Sequence, residues 1–223
     1  MADDRSGGGR SASDVLNARG LAGKRDYVRS LESRRDEEAL TLLVGCLSEE
    51  SGYLRELAEA ALEKLGERSG PALLPLLDHG LWFSRVSAAR VLGRTGYAEA
   101  AGPLVRLARD RVETVAREAY HALAGLAEGG ATVRVAWELH RLPPEQRPGW
   151  LSRLHALDRT FAERLERLLR AGSIMALADP AALRDDAPAV RAALEETGPW
   201  DVPAGQAPAR PAHPAGGADP SPR

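Results

Sequence analysis

Apolar side chains return along this chain at helical spacing, and the blocks in which they do so themselves recur. Aligning "LRELAEAALEKLG" from Leu54, "SRVSAARVLGRTG" from Ser84 and "VAREAYHALAGLA" from Val115 superposes equivalent positions at shifts of 30 and 31 residues. The first positions are Leu54, Ser84 and Val115; four on come Ala58, Ala88 and Ala119; seven on, Ala61, Val91 and Ala122; eight on, Leu62, Leu92 and Leu123; eleven on, Leu65, Thr95 and Leu126. Those offsets fall on one stripe of an α-helix. A turn follows each block, and after it a second apolar stretch: "ALLPLL", "PLVRLA" or "VRVAWEL", with "EEALTLLVGCL" as the second helix of an earlier, weaker unit. Pro71 after Gly70 suits a first helical turn, where its missing N–H costs nothing, whereas Pro75 and Pro103 lie deeper and blur the helix starts. A pair of such helices cannot bury both its faces alone, so stacking of pairs must complete the core. The pattern predicts an all-α array of about four helix pairs.

The helix "RVSAARVLG" followed by "AEAAGPLVRLARD" resembles a HEAT repeat of the short bacterial type, also seen in phycobilin-lyase-like proteins. The shared features are Arg, two residues, Ala-Ala, Leu-Gly, a turn, and a Leu-rich helix ending in Asp. The resemblance covers about residues 24–142 and is strongest over 52–127. It implies an α-solenoid whose second helices line a concave face. Asp78 with Arg85 and Asp110 with Arg117 share a spacing of seven, and Arg55 has Ser48 at that distance, which predicts a ladder of acid–base hydrogen bonds across successive seams. Two departures stand out. Ala116 occupies the position where Arg is expected, leaving Arg117 one place off, and the first unit, "KRDYVRSLESRRDEEAL", matches poorly, as a terminal cap does.

The period is lost after "LHRLPPEQRPGW", which sets the expected boundaries: a solenoid over 13–142 and a C-terminal helical cap over 143–199. Thr160-Phe161-Ala162-Glu163 reads as a capping box that opens a helix with Phe161, Leu165, Leu168 and Leu169 on its apolar side. Asp179-Pro180 and Asp186-Ala187-Pro188 offer further helix starts, and "APAVRAALEETGP" predicts a short helix. Residues 1–12 and the Pro/Ala/Gly-rich 200–223 have little to bury, so disorder is expected of both, and His213 is no ligand candidate.

Composition agrees with helices: 43% of residues are hydrophobic, mostly Ala, Leu and Val, but only 4% are aromatic. No apolar run approaches the ~18 residues of a membrane span, and "MADDRSGGGR" has no signal-peptide character, so a cytoplasmic protein with no membrane partner is expected. Cys46, the single cysteine, cannot form an internal disulfide and reads as a small core hydrophobe. Charge is uneven. Residues 26–79 carry 6 basic and 12 acidic side chains, against 15 and 10 over 80–172, so a mildly basic half follows an acidic one.

Chemistry leaves few marks. There is no HExxH, no phosphate loop and no His-Glu dipeptide of the kind iron-holding HEAT hydroxylases use, so no catalytic, cofactor or metal residue is assigned. Glu118 and His121, three apart, read as a solvent-face pair rather than an acid/base couple. Binding is better represented. The second helices carry Arg106, Arg109, Arg134, Trp137 and Arg141, a set able to hold an acidic peptide or a nucleic-acid backbone, unless the arginines are only the wet edges of amphipathic helices and Trp137 is core. The leading expectation is a non-enzymatic protein–protein scaffold. Its alternatives are a nucleic-acid binder related to HEAT-like alkylpurine DNA glycosylases, using Trp137 and Trp150, and a bilin lyase or chaperone suggested by the repeat type. Trp82 and Phe83 stand just before a helix whose stripe holds Ser84 and Thr95 where neighbours have Leu or Val. At least one aromatic is expected to fold into that seam and supply the missing volume.

Overall fold

The computed structural model describes residues 20–171 and 184–195, and all regular structure among them is helical. The expected tails, the Asp179-Pro180 start and His213 lie outside these residues. The helices are α1 (Leu21–Leu31), α2 (Glu37–Cys46), α3 (Gly52–Leu65), α4 (Gly70–His79), α5 (Trp82–Thr95), α6 (Ala101–Leu107), α7 (Glu113–Glu128), α8 (Thr132–His140), α9 (Arg147–Leu157), α10 (Arg159–Ala171) and α11 (Pro188–Glu195). Local chemistry sets their ends. Asp36 accepts from Ala39 N at 2.8 Å to open α2, Pro71 sits in the first turn of α4, and Gly96, with φ +67°, closes α5 in the left-handed region.

The helices pack in two rows. α1, α3, α5, α7 and α9 each meet the next of that series, α2, α4, α6, α8 and α10 do the same, and consecutive pairs such as α4 with α5 and α6 with α7 join the rows. The predicted stripes supply the core: Leu54, Ala58, Ala61 and Leu62 of α3, Ala88, Val91 and Leu92 of α5, and Val115, Ala119, Leu123 and Leu126 of α7 are buried. Between α5 and α7 the backbones themselves touch. A Cβ on Gly93 would lie 2.6 Å from Ala122 Cα, and one on Gly125 would lie 2.7 Å from the Gly93 carbonyl oxygen. This crossing needs glycine on both helices.

Polar ties run along the first row. Buried Glu59 of α3 accepts from Ser87 Oγ at 2.5 Å and from Arg90 at 3.0 Å, and the same guanidinium forks onto both oxygens of Glu118 on α7 at 3.0 and 3.1 Å. These two carboxylates hold the Arg90 guanidinium protonated against the opposing effect of burial. One arginine thus staples three helices.

Row packing continues where the sequence period stops. α9 lies against α7 and α10 against α8, through the buried side chains Trp150, Leu154, Phe161, Leu165 and Leu168. Packing needs only an apolar stripe, not a repeated sequence. The cap of α10 is Asp158 rather than Thr160: Phe161 N donates to Asp158 Oδ1 at 2.9 Å, a carboxylate being a stronger acceptor than a hydroxyl for first-turn N–H groups. Asp185 caps α8 from outside, accepting from Val133 N at 2.9 Å, from the Thr132 hydroxyl and from Arg164 at 3.0 Å. Pro188 then opens α11 against α10. No helix among the described residues is long and apolar enough to cross a membrane.

Candidate partner-binding surfaces

The seam of α5 is filled differently from the sequence expectation. Ser84 is fully buried, donates to the Leu47 carbonyl at 3.0 Å and meets Ser48 Oγ at 3.3 Å; Thr95 donates to Val91 O at 2.9 Å. Both hydroxyls find acceptors within the fold, so Ser84 and Thr95 are accommodated in the stripe without an aromatic ring drawn over them. Trp82 is correspondingly 50% exposed, with Leu81 at 56% and Tyr53, at the start of α3, at 47%. Phe83 is half-buried, edge-on to Trp82 with centroids 5.7 Å apart and with the Arg55 guanidinium 4.6 Å over its ring. Arg55 is fixed in turn by the carbonyls of Glu49 and Glu50, at 2.7 and 2.9 Å. Trp82 and Phe83 belong to the first turn of α5 rather than preceding it, so the first turns of α3 and α5, with Leu81 just before α5, present a braced aromatic ridge.

The ladder exists in another register. Arg85 pairs with Asp110 at 2.9 Å rather than with Asp78, and also donates to Gly80 O at 2.7 Å; Asp78 faces Arg106 at 3.6 Å, and Arg117 is exposed. Asp110 also accepts from Val112 N at 2.8 Å, which fixes its carboxylate on the Arg85 side of the turn. Lys24 and Glu49, at 3.2 Å, repeat the 25-residue spacing of Arg85 and Asp110. These two ties close their own helix pairs, whereas the longer Asp78–Arg106 contact bridges from one pair to the next.

The five predicted second-helix residues divide. Arg134 and Arg141 both face Glu138 at 3.8 Å, and Trp137 beside them is half-buried. Glu138 tucks against Gly102 of α6, where a Cβ would come within 3.1 Å of its carboxyl carbon. Arg106 and Arg109, both exposed, instead line clefts at the end of α6. The first, about 530 Å³, holds Leu77, Asp78, Arg85, Arg106 and Val112; the next, about 540 Å³, is formed where α7 meets α9 by Arg109, Tyr120, Gln146, Gly149, Trp150 and Arg153, with Asp110 and Glu145. A third, about 380 Å³, shares Tyr120 and Arg153 and adds Ala116, Ala156 and Leu157.

Tyr120 and Trp150 form the floor of the middle cleft, ring centroids 4.4 Å apart. Burial pushes the Tyr120 phenol above its ordinary range, partly opposed by the Arg153 guanidinium. Sequence reasoning named Trp150 as a groove candidate but missed Tyr120, Gly149 and Arg153, because α9 lies beyond the period and its register against α7 was not legible. Glu118 is committed to Arg90 and His121 is exposed, so they form no acid/base couple. Among the described residues no cluster of His, Cys, Asp or Glu could hold a metal ion. No family model and no curated protein matches the chain.

Proposed function

We propose that this protein is a non-enzymatic adaptor, a HEAT-like α-solenoid that docks a protein partner on its aromatic ridge. The observation that carries the reading is the exposure of Tyr53, Leu81 and Trp82 together on neighbouring turns. Trp and Tyr dominate binding energy at protein interfaces, about 2 kcal/mol or more for a central anchor, and large apolar groups exposed in company mark such surfaces. The Arg55–Phe83 stack braces the ridge before any partner arrives, which lowers the entropic cost of docking.

The nucleic-acid alternative draws less support, since Glu138 stands between Arg134 and Arg141 and Asp110 is paired with Arg85. For the bilin-lyase reading, repeat type alone remains the argument. The test is site-specific photocrosslinking from position 82 and, as a control, from exposed His121. The adaptor reading predicts one dominant adduct from position 82 that is absent from 121; identical adduct patterns from both would overturn it.

A further inference from the structure

The cleft between α7 and α9 points to a second binding function, separate from the aromatic ridge. We propose that it recognises an acidic peptide segment of a protein partner: one carboxylate held by Arg109, Arg153 and the indole N–H of Trp150, and a nearby apolar side chain in the adjoining cleft. Trp150 is only 5% exposed, yet its Nε1–H meets no acceptor. Buried donors are almost always paired, so an unpaired one beneath a cleft favours an oxygen brought in from outside, which reaches this enclosed nitrogen as the cleft lining shifts around the ligand.

Its surroundings favour a charged oxygen. Among the described residues Arg109 donates to the neutral amide of Gln146, at 3.2 Å, and Arg153 stands beside the neutral Tyr120 phenol. Asp110, though in the lining, is consumed by Arg85 and Val112 N, which leaves exposed Glu145 as the other carboxylate there. Two guanidinium groups against one rim carboxylate leave the cleft short of negative charge, and a forked guanidinium matches a carboxylate's two oxygens.

The adjoining cleft supplies the second half of the motif. Ala116, Tyr120, Ala156 and Leu157, the last 41% exposed, give it an apolar lining, with Arg117 and Glu113 at its edge. Because the two clefts share Tyr120 and Arg153, an extended segment crossing both would place its acidic and apolar side chains within a residue or two of each other. Gly149 offers a clean probe. A Cβ there meets nothing within 4 Å, so a larger side chain enters open cleft rather than protein.

The test follows the Trp150 indole N–H signal by nitrogen-15 NMR of the full chain, assigned by its loss in Trp150→Phe. The probes are synthetic nine-residue peptides in a Gly/Ser background, with Leu and Glu separated by zero, one or two residues in either order, and the same set with Gln replacing Glu. At least one Glu peptide should move the signal saturably downfield, with the matching Gln peptide about tenfold weaker or silent. Gly149→Leu and Arg153→Gln should abolish the shift while leaving the other indole signals and the thermal midpoint in place. An unmoved signal at millimolar Glu peptide, equal response to Gln, full response in Gly149→Leu, or a response to a thymidylate octamer alone would each overturn the proposal.

Discussion

Replacing Gly93 with alanine puts a methyl carbon 2.6 Å from Ala122 Cα and 2.9 Å from the Ala122 carbonyl oxygen. Ordinary contact begins near 3.4 Å, so α5 and α7 must part by roughly 0.8 Å, and the obstructing atoms are backbone that cannot rotate away. Overpacking of this kind costs about 1–3 kcal/mol, at the upper end where nothing flexible yields. Against it stands the ~1 kcal/mol by which Ala exceeds Gly in a helix interior. The net loss should be about 2 kcal/mol, or a fall of about 4–8 °C in Tm for a chain of this size. Urea unfolding followed by circular dichroism measures it. Gly125→Ala meets the same crossing at 2.7 Å from Gly93 O, so the double variant should lose less than the two single losses combined. Gly149→Ala, with open space around it, should be neutral or gain a few tenths of a kcal/mol. A Gly93→Ala protein as stable as the parent would refute the backbone-contact reading.

Two further substitutions and one reactivity measurement probe other parts of the account. Arg90→Met strands Glu59 in the interior and should cost about 3–5 kcal/mol in denaturant titration, with a loss below ~1 kcal/mol showing that the staple is not needed. Cys46 is 1% exposed and burial pushes its thiol up to about 12, so aromatic disulfide reagents should react only as fast as the chain unfolds; because the folded pKa exceeds the unfolded ~8.5, stability is intact below that pH and declines as pH rises towards 12. Asp185→Asn keeps one acceptor at the start of α8 but drops the charge facing Arg164, which should cost about 1 kcal/mol and speed protease cleavage before α11; unchanged cleavage would argue against Asp185 as the tether of that segment.

The helices of the repeated blocks were legible because a stripe of Ala, Leu and Val records burial directly, and the buried set of α3 and α7 follows it. Ser84 was misleading for a physical reason: its hydroxyl is satisfied by Leu47 O, 37 residues earlier in the chain, and no local pattern announces so distant an acceptor. A spacing of seven made Asp78 look like the partner of Arg85, whereas the side chain reaches 25 residues forward to Asp110. The Leu-Gly of the HEAT resemblance falls on Gly93, but nothing in that motif says that the missing Cβ sets the α5–α7 distance. The middle cleft was the least legible feature. Its walls come from α7, inside the period, and α9, outside it, so only the fold brings Tyr120 to Trp150.

Trp82 carries the adaptor reading most directly, and Trp82→Ala separates its two possible roles in one pair of measurements. A half-exposed ring that fills no seam should cost below ~1 kcal/mol of stability on truncation, whereas an interface anchor should weaken partner affinity by about thirtyfold or more. Unfolding midpoint and Kd for the crosslinked partner, measured side by side on parent and variant, should show the first unchanged and the second raised. A variant that loses several kcal/mol of stability, or binds its partner as tightly as the parent, would contradict the account.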